Sequence, residues 1–186
     1  FDILDGPDGD LLRSCVRRHV YRLLRHKDCI GIWFGYPCGT FSRARRGKAG
    51  MPGALRGAEG RDLYGLPGLN EKDQLKVDVA NQLLVYLLQL CKYAHRRRVP
   101  FYIENPLTSR LWKMPEMKQI MSLSHSDTVE LDFCQYGEAW RKSTRLRVSR
   151  RPDLRSVGKR CCFGRGYVCS ATGRRHQQLT GATKDE

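Results

Sequence analysis

The chain has 186 residues, enough for one domain with a true core and a small appendage, and its 40% hydrophobic content excludes a disordered polymer. Lys and Arg number 34 against 19 Asp and Glu, a formal net charge of +15, which predicts a polyanionic partner. No run approaches the roughly 20 apolar residues of a membrane span and no amphipathic anchor is evident, so the expected partner is nucleic acid and not a membrane.

The opening FDILDGPDGDLL carries neither an initiator Met nor a signal peptide and reads as the interior of a longer chain. Residues 1–4 are a candidate short strand. Residues 11–25 place Leu12, Val16, Val20, Leu23 and Leu24 at helical spacing. CIGIWFG, residues 29–35, is short, apolar and bounded by Asp28 and Tyr36-Pro37, which predicts a buried strand with Trp33 and Phe34 in the core. Residues 43–70 are rich in Gly, Pro and Arg without periodicity, a long loop of the kind that carries function.

Asn70 is then a candidate N-cap for the strongest helix, residues 75–94, with Val79, Leu83, Leu87 and Leu90 on one face and His95 to Arg98 supplying cations at its end. FYIEN, residues 101–105, is the next strand, followed by a helix over 114–121 and strands at VELDF and TRLRV. Strand–helix–strand alternation predicts an α/β fold with an open, mostly parallel sheet and flanking helices over residues 1–150. Residues 151–186 form a Cys/His-rich tail. Four of the eight cysteines (Cys15, Cys29, Cys91, Cys134) sit in apolar segments and the late ones cluster, which predicts a reduced, intracellular protein, nuclear in a eukaryote and cytoplasmic otherwise.

In such a sheet ligands bind beyond the carboxyl ends of the strands. Cys38 and Glu104 each follow a predicted strand, and the intervening helix permits the crossover that would make those strands parallel neighbours, which predicts that the thiol and the carboxylate face one pocket. A third set, CQYGEAWRKSTRLRV, brings Arg141, Lys142 and Arg145 to the edge of another strand.

Taken in order, Pro37-Cys38 with Phe41-Ser42, Glu104-Asn105-Pro106, and Tyr136-Gly137 leading to Trp140-Arg141-Lys142-Ser143-Thr144-Arg145 resemble the DNA cytosine-5 methyltransferases over residues 1–148. Asp2-Ile3 is similar to the pair that approaches the cofactor's adenine in that family. The resemblance implies a Rossmann-like methyltransferase core and S-adenosylmethionine as cofactor, with Asp2, Ile3 and Pro37 near it. It implies that Cys38 attacks carbon 6 of a flipped cytosine, splitting one hard step into two. Glu104 would hold the base's ring nitrogen and amino group, Asn105 would fix the loop, and Arg141 or Arg145 would orient the base or its phosphate. Ser42, Arg43, Arg45, Arg46, Asn105 and Lys142 would meet the nucleic acid, which the resemblance implies is DNA with RNA as the alternative, the loop arginines also favouring the thiolate.

The chain departs from the family in lacking the Phe-x-Gly-x-Gly turn and the ribose-binding acid, in having Pro106 for the usual Val, and in an arginine motif out of register by about a residue. Only 38 residues follow Val148, too few for a large target-recognition domain. The alternative is a non-catalytic basic nucleic-acid-binding domain derived from the same fold. An amino-methyltransferase, with Asn105-Pro106 as its motif, ranks last because it has no use for Cys38. In the tail, Cys161, Cys162, Cys169 and His176 offer thiolates and an imidazole suited to tetrahedral zinc.

Overall fold

The computed structural model describes residues 6–43, 53–123, 126–149, 154–162 and 167–177. The expected opening strand, with Asp2 and Ile3, lies outside them, as do Arg45 and Arg46. The elements are α1 (Ser14–Arg25), β1 (Ile32–Gly35), α2 (Glu71–Arg97), β2 (Phe101–Pro106), α3 (Pro115–Met121), β3 (Ser126–Asp132) and β4 (Ser143–Ser149), with short 3-10 turns between them.

The longest helix is fixed at both ends by local chemistry. The Asn70 side chain accepts a hydrogen bond from the Asp73 amide at 2.9 Å, so the expected N-cap is present, and Glu71 and Asp73 sit in the positive first turn. At the other end His95, Arg96 and Arg97 occupy the last turn, and Arg98 stops the helix in the left-handed region at φ 61°. Its buried stripe runs through Val77, Ala80, Leu84, Leu87, Cys91 and Ala94, spaced alternately by three and four residues. The expected face through Val79 and Leu83 is therefore rotated: Leu87 and Leu90 are buried, while Val79 and Leu83 lie at the margin. Leu84, Leu90, Phe101, Ile103, Met114, Met117 and Ile120 form the main core between α2, α3 and the sheet.

The four strands form one open, mixed sheet in the order β1-β2-β4-β3. Among the described residues only β1 and β2 pair in parallel; β4 is antiparallel to both β2 and β3. The expectation of a mostly parallel sheet is thus corrected. The cause is the connection over residues 133–142, which is too short for the crossover a parallel pair needs, so β3 and β4 fold back on each other.

Cross-strand partners in a pair share a face. Phe101, Ile103 and Asn105 of β2 therefore lie on one face with Arg145 and Arg147 of β4 and with Thr128 and Glu130 of β3. Tyr102 and Glu104 point to the other face with Leu146, Val148 and Val129. The first is the helix face. The second, here the far face, carries a smaller core of Val129, Leu131, Leu146 and Val148 under Phe133, Leu154 and Val157. Trp33 belongs to the far face, 57% exposed and stacked on Tyr102 at 5.9 Å, and not to the core as its apolar run suggested; the period-2 alternation turns it away from Phe34.

Candidate functional site

The parallel register sets Gly35 of β1 beside Glu104 of β2, so the Cys38 loop and the Glu104-Asn105 pair leave the same end of the sheet. A buried bond joins them: Asn105, fully inaccessible, donates from Nδ2 to the Tyr36 carbonyl at 2.7 Å, two residues before Cys38. Tyr36 is anchored in turn by its hydroxyl, which donates to the Ala80 carbonyl of α2. The Phe41 amide closes the turn onto the Cys38 carbonyl at 3.0 Å. Cys38 itself is a free thiol at intermediate exposure, and Pro37 beside it is exposed.

Two arginines staple this loop from outside. Arg56, at 0% exposure, lies 3.8 Å from the Phe41 ring centroid and donates to Thr40 Oγ1 (3.2 Å), to the Leu63 carbonyl (2.7 Å), to Asn81 Oδ1 (2.8 Å) and to the Val77 carbonyl (3.3 Å). Burial lowers the Arg56 guanidinium to about 10, so it stays charged at neutral pH. Arg110 binds through its amide to the Phe41 carbonyl (3.0 Å) and through Nη1 to the Ser42 carbonyl (3.3 Å). Neither arginine was singled out from sequence. Arg56 looked like one more charge in a polar loop, and nothing local marks it as buried.

Glu104 lines a far-face cavity of about 450 Å³ together with Trp33, Tyr102, Phe133, Tyr136 and Thr144. Lys142 stands beside it, Nζ 3.5 Å from Glu104 Oε1 and 4.8 Å from the Phe133 ring centroid. Arg145 does not join them. Its pairing with Asn105 puts it on the helix face, where Nη2 donates to Glu130 Oε1 at 2.8 Å and the guanidinium lies 5.6 Å from the Trp112 ring centroid. Arg141 is also directed elsewhere, with Nε 3.3 Å from Asp132 Oδ2. The structure thus brings Glu104 to Lys142 and Asn105 to the Cys38 loop, and it sends Arg145 through the opposite side of the sheet; Cys38 is not among the residues that line the Glu104 cavity, so the expected shared pocket is not formed in this structure. Arg43 follows Ser42 at the end of the described loop segment.

Asp132 is the hub of the β3–β4 end. Wholly buried, it accepts from the Ser143 hydroxyl (2.5 Å), the Cys161 amide (2.7 Å) and Arg160 Nε (3.2 Å). Burial pushes its carboxyl up, but the Ser143 and Cys161 hydrogen bonds and the Arg141 and Arg160 charges outweigh it and hold it below the usual carboxylate range.

Next to this hub lies a cluster that could hold a metal ion. The ligating atoms of Cys134, Cys161, Cys169 and His176 all fall within 4.8 Å of one another. The predicted set is corrected at one position: Cys162 is exposed and outside the cluster, its amide bonded to Ser170 Oγ at 3.2 Å, and Cys134 takes the fourth place. Cys134 was missed because it sits 27 residues before Cys161 in an apolar segment that reads as core. Burial and the neighbouring thiols push Cys134 up to about 12. For Cys169 burial acts in the same direction, but the Ala171 and Thr172 amides, the Thr172 hydroxyl and His176 bring it down to about 6.

Among the described residues no helix is long and apolar enough to cross a membrane. Comparison with protein-family models, curated proteins and solved structures yields no match, so the residues above are the whole basis for a functional assignment.

Proposed function

We propose that this chain carries a Rossmann-like methyltransferase domain acting on carbon 5 of cytosine in DNA, with Cys38 as nucleophile. The observation that carries the reading is the buried Asn105–Tyr36 bond, which couples the Glu104-Asn105 pair to the Pro37-Cys38 loop across a parallel β1–α2–β2 unit. Two motifs 66 residues apart in sequence are held at one sheet end. A core thiol needs no such arrangement, and Cys38 is not sealed in the interior and is in no disulfide.

On this reading the Cys38 thiolate adds to carbon 6 of the extruded base, and electron density moves to carbon 5. S-adenosylmethionine, which Pro37 would help to hold, would supply the methyl group when bound and leave as S-adenosylhomocysteine. Carbon 5 then loses its proton to a base as the sulfur–carbon 6 bond breaks, which regenerates the thiolate and the aromatic ring. Glu104 binds the ring nitrogen and exocyclic amine, and Lys142 at 3.5 Å fixes the orientation of its carboxylate. The net charge of +15 supplies the phosphate contacts that hold the duplex while one base leaves the stack.

Two observations favour the second reading, a basic nucleic-acid-binding domain without catalysis: Arg141 and Arg145 are engaged with Asp132 and Glu130 and not with the Glu104 cavity, and Cys38 does not line that cavity. A filter assay with methyl-labelled S-adenosylmethionine and cytosine-containing duplex DNA separates the two. Label transfer lost in Cys38→Ala and strongly reduced in Glu104→Gln supports the catalytic reading. Salt-sensitive DNA binding with no transfer by the wild-type chain supports the other.

A further inference from the structure

We propose that Cys134, Cys161, Cys169 and His176 form a structural zinc centre that fastens the C-terminal segment to the β3–β4 pair, independently of any catalytic role for the sheet end. Three thiolates and one imidazole are a closed tetrahedral donor set of the kind that structural zinc takes. Zinc–sulfur and zinc–nitrogen bonds of about 2.3 and 2.0 Å at tetrahedral angles require ligand atoms about 3.5–3.8 Å apart. Cys161 Sγ and His176 Nε2 are 3.7 Å apart, and all four donors fall within 4.8 Å, so closure around one ion takes only small side-chain adjustments.

The surroundings are arranged for anionic sulfur. Ser170 points its amide (3.4 Å) and hydroxyl (3.5 Å) at Cys161 Sγ. Gln135 Nε2 lies 3.7 Å from Cys134 Sγ and 3.8 Å from Cys169 Sγ, bridging two ligands from different parts of the chain. Donors of this kind stabilise metal thiolates and fix their direction. Cys169 and His176 are themselves set by a tight hairpin in which the Cys169 amide bonds to the Arg174 carbonyl at 2.8 Å and Gly173 turns the chain at φ 67°.

The ligands come from three separate places. Cys134 lies in the turn after β3, Cys161 follows the 3-10 turn Arg155–Val157, and the other two sit in the hairpin. Such a centre is a tertiary clamp and not a local finger. Its Cys161 amide reaches Asp132, and the Phe133 amide bonds to the Lys142 carbonyl at 3.2 Å, so the clamp also steadies the backbone that presents Lys142 to Glu104.

Zinc content and cobalt substitution of the full chain test this. Protein purified with zinc and then dialysed should retain about one zinc per chain by elemental analysis. Cobalt in its place should give tetrahedral visible bands and thiolate-to-cobalt charge transfer. Cys162→Ser should keep both signals. Cys134→Ser should lose about a third of the charge-transfer intensity, one thiolate of three, together with most of the affinity. Because Cys134→Ser could unfold, Cys134→His serves as the second variant; it should keep tetrahedral cobalt with the same reduced charge transfer. A wild-type chain that stays metal-free in excess zinc overturns the proposal. So does a Cys162→Ser variant that loses the metal while Cys134→Ser keeps it.

Discussion

Replacing Asn105 tests the coupling between the two motifs at its physical root. Asn105→Ala removes the Nδ2 donor and leaves the buried Tyr36 carbonyl without its 2.7 Å partner. An orphaned buried acceptor costs about 1–3 kcal/mol. The void left by the truncated side chain adds about 1 kcal/mol. A total loss of about 2–4 kcal/mol is therefore expected. With a urea slope of roughly 2 kcal/mol per M, the unfolding midpoint should fall by about 1–2 M. Asn105→Asp should be worse, since it sets a carboxylate oxygen against a carbonyl oxygen. The assay has a local arm as well: alkylation of Cys38 under native conditions should accelerate in Asn105→Ala, because the loop has lost its tie to β2. A midpoint within about 0.2 M of wild type and an unchanged alkylation rate would refute the coupling.

Arg56→Ala should destabilise the fold by about 3–5 kcal/mol, because it strips donors from the Leu63 and Val77 carbonyls and from Asn81 at once; Arg56→Lys should recover only part, and thermal unfolding measures both. Gly57→Ala places a Cβ 2.3 Å from Asp62 Cβ and should cost about 1–3 kcal/mol, checked by the urea midpoint. Burial holds the Tyr36 and Tyr86 hydroxyls above the ordinary tyrosine value of 10. Their contribution to stability is therefore complete below pH 10 and is lost as pH rises from there toward their folded values, because the unfolded chain ionises first. Tyrosinate absorbance should show these two titrating only with unfolding, and Tyr36→Phe with Tyr86→Phe should remove that late step.

The sequence was most legible where local chemistry decides structure. Asn70, the acidic first turn and the terminal cations bound α2 without help from the rest of the fold. The apolar runs around residues 32–35 and 101–106 marked strands, and the helix between them marked the parallel pair. What stayed hidden depends on partners distant in the chain. Nothing within TRLRV says that β4 inserts between β2 and β3, and that insertion decides which face each arginine takes. Arg145 therefore read as a companion of Glu104, although the pairing with Asn105 directs it away. Lys142, one step outside the strand, is the cation that reaches Glu104. Trp33 followed its hydrophobic neighbours on paper, but alternation along β1 turned it outward onto Tyr102. The metal ligands divide in the same way: Cys161, Cys169 and His176 are close in sequence and could be grouped, whereas Cys134 joins them only through the fold.

Duplex DNA carrying 5-fluorocytosine at a methylatable position, incubated with the chain and S-adenosylmethionine, tests the central claim most directly. Fluorine cannot leave carbon 5 as a proton does, so the sulfur–carbon 6 bond persists. Peptide mapping should find the modified base on the peptide containing Cys38, and on no other cysteine. An adduct mapped to a different residue, or methyl transfer that survives in Cys38→Ala, would contradict it.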